Sequence, residues 1–207
     1  YCGVCSRSDK VRQTRRSPLA PIAVPEKAWE KLALDIVGPI EGVGLHKKYI
    51  LSMVDYNSHW IMTKFVSDVN TKVLIEFPRG AFQLEGIPAV IVTDNGVQFT
   101  SYEVCEFLKD LSIKHERTAL YCPKANGLIE RINRMIKECI QSAVRSGNNI
   151  EYSLNELLWS YHTAPNLVTG ITPFVALKGR NPGTKLFPRG WVVENGSTLI
   201  KRNVLRK

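Results

Sequence analysis

Apolar positions recur with a period of two over Lys31–Val37, where Leu32, Leu34 and Ile36 alternate with Ala33, Asp35 and Val37, the repeat of a β-strand. Asp35 therefore points to the face opposite the leucines. Tyr49–Asp55 (YILSMVD) and Trp60–Val66 (WIMTKFV) read as two further strands joined across the turn-prone Asn57-Ser58, which predicts an antiparallel meander. From Asn70 to Leu84 the spacing becomes helical, with Val73, Leu74, Phe77 and Ala81 on one face and Pro78 as an expected kink or break. Ala89–Thr93 (AVIVT) is short and apolar, as in a strand buried on both faces. Asp94 stands at its carboxyl end, where layered α/β folds present ligand-binding residues.

Thr100-x-x-Glu103 reads as a capping box for a helix carrying Val104, Phe107, Leu108 and Leu111, with a strand expected at Ile113–Arg117. From Gly127 to about Arg145, Ile129, Ile132, Ile136, Ile140 and Ala143 form one stripe at helical spacing, and Glu130, Arg134, Lys137 and Gln141 form a second, polar one. Ile150–His162 predicts another helix through Leu154, Leu157, Leu158 and Tyr161, and beyond Gly179 the signals are weak and mixed. Three strands, helix, strand, helix, strand and long helix make an α/β domain.

With 207 residues, 44% hydrophobic and 23% charged, the chain has material for one main domain with short pieces at each end. No apolar stretch approaches the roughly 18 residues a membrane helix needs, so no membrane partner is expected. A net charge of +9 favours polyanionic partners, because lysines and arginines that neutralise phosphates release counterions. The five scattered cysteines form no disulfide framework and point to a reducing, intracellular setting, in which Cys105 and Cys139 read as buried small hydrophobes. The chain starts at Tyr1 without a leader and is expected to be a fragment of a longer product.

The chemistry lies in three acids. Asp94 and Glu130 have 35 residues between them, and Asp35 and Asp94 have 58 between them. Three carboxylates delivered from separate elements to one point form an oxygen-only site for hard divalent cations, which suggests metal-assisted phosphoryl transfer on nucleic acid. Singly, each has a plainer reading: a polar-face strand residue, a cap before Asn95-Gly96, and a surface acid paired with Arg134 one turn on. Asp55 competes as a fourth carboxylate, but its place after a strand favours a structural turn.

Two motifs sharpen this. Thr93-Asp94-Asn95-Gly96-x-Gln98-Phe99-Thr100-Ser101 and Tyr121-x-Pro123-x-x-Asn126-Gly127-x-x-Glu130-Arg131-x-Asn133 resemble the retroviral-type integrase core, specifically that of Ty3/Gypsy-class LTR retrotransposons. Trp29-Glu30, Asp35-x-x-Gly38-Pro39 and Thr169-Gly170-x-Thr172-Pro173-Phe174 with Gly179-Arg180 share the resemblance, which spans about residues 1–186. It implies a ribonuclease-H-like three-layer fold with a mixed five-stranded sheet flanked by helices.

It also implies a polynucleotidyl transferase in which Asp35, Asp94 and Glu130 hold two Mg²⁺ ions, or Mn²⁺, and act on the element's DNA ends and on target DNA. Asn95-Gly96 would turn the chain sharply by backbone angles closed to other residues. Arg134, Lys137 and Asn133 would grip phosphates, and Tyr121 and Asn126 would contact DNA. The resemblance divides the chain into a zinc-domain remnant at 1–16, a linker at 17–28, the catalytic core at 29–180 and a tail at 181–207. Cys2 and Cys5 match half of a His/His/Cys/Cys zinc site, so Zn²⁺ is expected only with histidines upstream of Tyr1. Cys122 and Ala125 depart from the family pattern, and the tail is short for the usual C-terminal DNA-binding domain. A homo-oligomer and a nuclear location follow from the resemblance. The competing reading is a domesticated DNA-binding or scaffold protein that keeps the fold without turnover.

Overall fold

The structure is a computed structural model that describes residues 25–118, 127–167, 169–183, 191–194 and 198–201, the last two segments by backbone alone. The expected linker before residue 25, Cys2 and Cys5, Tyr121, Asn126, Cys122 and Ala125 lie outside the described residues. Strands β1 (Lys31–Val37), β2 (Tyr49–Asp55) and β3 (Ile61–Val66) form the antiparallel meander. β4 (Val90–Thr93) runs parallel to β1, and β5 (Lys114–Arg117) runs parallel to β4. The mixed five-stranded sheet has the order β3-β2-β1-β4-β5. Helices α1 (Thr71–Glu85), α2 (Tyr102–Asp110), α3 (Gly127–Arg145), α4 (Ile150–Thr163) and the short α5 (Pro173–Lys178) accompany it. Strands β6 (Trp191–Glu194) and β7 (Thr198–Lys201) pair antiparallel as a separate two-stranded sheet, in a region of weak and mixed residue pattern.

The period-two alternation of β1 sorts its side chains between two cores. Leu32 and Leu34 join Leu51 and Met53 of β2 against Leu74, Phe77 and Ala81 of α1 and Val104, Phe107 and Leu108 of α2. On the opposite face Val37, with Ile50, Val54 and Ile61, meets Ile132, Ile136 and Ile140 of α3 and Leu154 of α4. The isoleucine stripe of α3 is buried as its spacing predicts, and each such side chain contributes roughly 1.5–3 kcal/mol by leaving water. Asp35 faces this second layer, so the helix that carries Glu130 packs over the strand that carries Asp35.

Local departures have local causes. Pro78 lies inside α1 without ending it: the helix runs on to Glu85, capped at its start by Asn70 Oδ1 accepting from Val73 N at 3.1 Å, and the proline ring is buried in the core instead of facing water. The expected capping box is not formed, because α2 begins one residue later, at Tyr102, with Ser101 at the N-cap and no side-chain cap bond. The Thr100 hydroxyl donates instead to the carbonyl of Val97 at 3.2 Å. Cys105, on the outer side of α2, is exposed rather than buried, and Cys139 is half-buried. The chain leaves β1 at Gly38, whose φ of +135° and whose approach to the Lys48 carbonyl, 2.9 Å from a notional Cβ, exclude a side chain.

The TGxTPF segment serves as a cap. Thr172 accepts from Val175 N at 3.1 Å to start α5, Pro173 takes its first turn, and Gly179 ends it in the left-handed region. α5 helps close a cluster around Trp60, which stacks on His162 at 3.8 Å and meets Phe174 edge-on. His162 Nε2 accepts from Ile61 N at 3.2 Å, and burial pushes this imidazole down to about 4. Trp29 is likewise structural, its indole donating to the Gly86 carbonyl at 2.7 Å.

Candidate functional site

β1 and β4 bring two of the three expected acids together. Their parallel register pairs Ala33 with Val92, and the same offset carried two residues further sets Asp35 beside Asp94. Neighbouring strands lie about 4.8 Å apart, so two carboxylates at one level feel each other strongly. The Asp35 carboxyl is accordingly raised above its ordinary range, first by burial and then by the charge of Asp94. The amide of Ile36, the side-chain amide of Asn133 and the ammonium of Lys137 oppose that rise without cancelling it.

Asp35 is half-buried and held at both oxygens. Oδ1 accepts from Ile36 N at 2.7 Å, and Oδ2 accepts from Asn133 Nδ2 at 2.6 Å. Asn133, expected to grip phosphate, thus lies against the acid itself, and its own Oδ1 accepts from the buried Ser52 hydroxyl at 3.1 Å. Ser52 sits directly across the β1–β2 ladder from Asp35. In sequence it is one small polar residue in an apolar strand, and nothing local ties it to a residue 81 positions away.

Asp94 is exposed at the mouth of β4, with Oδ1 accepting from Gly96 N at 2.9 Å. A Cβ on Gly96 would stand 2.9 Å from that oxygen and 2.9 Å from Gln98 Oε1. Gly96 is not among the residues with positive φ, so the turn does not rest on a left-handed backbone, which corrects the sequence expectation; a side chain there would press only on the movable ends of Asp94 and Gln98. The loop is pinned from behind. Asn95 Nδ2 donates to the Thr118 carbonyl at 2.6 Å, Thr118 N donates to the Thr93 carbonyl at 3.0 Å, and Thr93 Oγ1 lies 2.9 Å from His115 Nε2.

Glu130 stands exposed in the first turn of α3, one turn before Asn133, with Arg134 and Lys137 on the same exposed flank. It makes no ion pair with Arg134 among the described residues. Nor do the described residues contain a group of three acidic, histidine or cysteine side chains placed to hold a metal. The strand register joins Asp35 to Asp94, and Glu130 stands exposed in the first turn of the helix packed over them. The donor chemistry nonetheless fits a hard cation. All three groups offer oxygen, Asp35 and Asp94 repel one another, and each bonded oxygen of Asp35 keeps a free lone pair.

Asp55, the competing carboxylate, is fully buried and committed to its turn. Oδ2 accepts from Ser58 N at 3.0 Å and from the Ser58 hydroxyl at 2.5 Å, and Oδ1 accepts from Asn57 N at 3.3 Å. Between the chain leaving β1 and α3 opens a groove of about 660 Å³ lined by Gly38, Pro39, Glu41, Lys137, Gln141 and Arg145 among others.

This architecture has relatives. Residues 25–123 match the family model described as integrase core domain. An uncharacterized protein of Caenorhabditis elegans is 29% identical over 187 residues, 90% of this chain and 14% of the relative. The Pol polyprotein of equine infectious anemia virus is 32% identical over 134 residues, 63% of this chain and 11% of the polyprotein. The chain thus spans 14% or less of the length of these two relatives. Among solved structures, the HTLV-2 integrase catalytic core domain in complex with magnesium (trimeric form) superposes with a TM-score of 0.59 at 23% identity, covering 73% of this chain and 98% of that one. A simian T-cell lymphotropic virus intasome in complex with PP2A regulatory subunit B56 gamma reaches 0.66 at 20% identity, covering 95% of this chain and 68% of that one. These structures share the mixed five-stranded, ribonuclease-H-like fold, and in sequence residues 25–123 are similar to an integrase core domain and a longer stretch is similar to retroviral Pol polyproteins.

Proposed function

We propose that the chain is the catalytic core of a retrotransposon integrase of the Ty3/Gypsy class, a polynucleotidyl transferase that trims the element's DNA ends and joins their 3′-hydroxyls to target DNA. The observation that carries this reading is the side-by-side placement of Asp35 and Asp94, with Asp35 raised by burial and by its neighbour. Asp35, Asp94 and Glu130 are the residues that would hold two Mg²⁺ ions, or Mn²⁺, and the related HTLV-2 core is described in complex with magnesium. Bound there, such cations neutralise phosphate charge and acidify the attacking oxygen.

The chain's own residues do the rest. Ile36 N and Asn133 fix the plane of the Asp35 carboxylate, and Gly96 N fixes that of Asp94. Lys137 and Arg134, on the exposed flank of α3, bind the phosphates that flank the scissile bond. Lys137, whose charge reaches Asp35, also lines the groove between the chain leaving β1 and α3, which offers a path for a DNA strand. Tyr121 and Asn126 add contacts to the DNA end, and Cys2 and Cys5 complete a zinc site with histidines of an upstream segment. A multimer working in the nucleus, on two DNA ends at once, completes the reading, and it is supported by the trimeric core and the intasome among the related structures.

The test is Mg²⁺-dependent nicking or joining of a duplex oligonucleotide. Asp94→Asn is expected to abolish it, and unchanged activity in that variant sinks the metal role. The second reading, a DNA-binding protein without turnover, draws on the exposed basic flank of α3, where Arg134 and Lys137 can hold phosphates without any chemistry. It requires duplex binding that survives Asp94→Asn and no product even from the parent chain.

A further inference from the structure

We propose that Ser52 is a positioning residue for the metal-binding carboxylate of Asp35, acting through Asn133. The inference rests on the metal reading above and extends it to a residue that never touches substrate. A carboxylate only accepts hydrogen bonds, so Asn133 must turn its NH₂ end toward Asp35 Oδ2, 2.6 Å away. That choice points the carbonyl end of the same amide the other way, where it needs a donor. The Ser52 hydroxyl is that donor, at 3.1 Å, and at 1% exposure it has no water with which to exchange the bond.

The geometry makes the device specific. Ser52 is the cross-strand partner of Asp35, and its hydroxyl lies 3.5 Å from the Asp35 carbonyl, so serine, amide and acid ride on one rung of the β1–β2 ladder beneath α3. Asn133 comes from the facing helix. The single serine proton goes to the nearer acceptor, the Asn133 oxygen, and so holds in place the amide that aims the acid. Without the hydroxyl nothing distinguishes the two ends of the Asn133 amide on the Ser52 side. The buried amide oxygen then lacks its donor, and the Asn133 side chain is released to swing away from the carboxylate it orients. Partners in this outer position characteristically change metal affinity by about 10–100-fold when removed.

The experiment titrates the full chain with Mn²⁺ and reads bound metal by electron paramagnetic resonance, with no substrate present. Asp35→Asn defines the site. Ser52→Ala is expected to weaken binding about tenfold, and Ser52→Thr, which restores the hydroxyl, to bind within about twofold of the parent. In an Asn133→Ala background the Ser52→Ala change should cost less than about twofold, because the serine acts only through that amide. Unaltered Mn²⁺ binding in Ser52→Ala overturns the positioning role, and so does an equal loss in both backgrounds, which marks Ser52 as a packing residue. If the parent shows no Asp35-dependent binding at all, the metal reading falls and takes this role with it. Ser52→Ala removes a single oxygen and leaves the apolar contacts of β2 in place, so melting curves matched to the parent confirm that affinity and not folding is being read.

Discussion

Asp35 and Asp55 sit on neighbouring antiparallel strands, each at the end of an apolar run, and the fold treats them in opposite ways. Asp55 is fully buried and receives three donors from its own turn, Ser58 N, the Ser58 hydroxyl and Asn57 N. Asp35 is half-buried, receives two donors, and faces a second acid whose charge raises its pKa. One carboxylate is closed by local bonds that reward folding. The other is left short of compensation, with lone pairs open toward a like charge, the condition in which a cation is attracted. Perturbed carboxyls of this second kind gather at functional sites, whereas saturated ones hold turns.

The contrast can be broken at either end. The largest effect belongs to Asp35→Asn, which should lower metal-dependent strand joining by at least about 1000-fold, equivalent to about 4 kcal/mol of barrier. Its melting temperature should be unchanged or raised, because the neutral amide removes the repulsion with Asp94; a strongly destabilised Asp35→Asn would erase the distinction. Next comes Asp55→Ala, expected to cost about 3 kcal/mol of stability by stranding buried donors, or a fall of roughly 10 °C for a chain of this size. A wild-type melting curve for that variant would contradict the role given to the turn.

A buried base extends the comparison to pH. His162 is held neutral down to about 4, whereas an unfolded histidine takes its proton near 6.5. The unfolded chain therefore binds more protons across that window, and stability falls as pH falls through it, by up to about 3 kcal/mol. His162→Gln should flatten the acid limb of a melting-temperature profile. Asp35 runs in the other direction: its carboxyl is raised on folding, so its contribution is present below the unfolded value and is lost as pH rises through the folded one. The profile of Asp35→Asn should lack that component. The smallest effect is expected of Gly96→Ala, which should fold normally but lower activity several-fold, roughly 1 kcal/mol, because the new methyl displaces the Asp94 oxygen. Full activity in that variant would mean the close approach is incidental.

Periodicity made much of this legible. The alternation in β1 assigned Asp35 to the face away from the leucines, and the isoleucine stripe of α3 fixed which side Glu130 would occupy. What sequence could not show depended on distance or on a one-residue shift. The bond from Ser52 to Asn133 joins a strand to a helix across 81 positions, and no local pattern records it. Thr100 and Glu103 had the right spacing for a capping box, but the helix began one residue too late to use them. Pro78 is tolerated because the packing of α1 outweighs one missing amide bond, and the turn at Gly96 is made without the positive φ that its Asn-Gly pair predicts. The motif spacing predicts three converging acids, and the register of β1 with β4 sets Asp35 beside Asp94.

The offset between β1 and β4 carries a consequence for how this domain can change. It is set by apolar residues such as Leu32 and Ile91, both fully enclosed, and the acids merely continue the alignment those residues establish. Strand side chains alternate faces, so inserting or deleting a single residue ahead of Asp35 within β1 would swing the carboxylate under α1 while the leucines took its place. Drift in sequence is cheap across most of the domain's outside, but drift in length within these two strands is forbidden, and the spacing of the acids is in effect a ruler inherited from the interior.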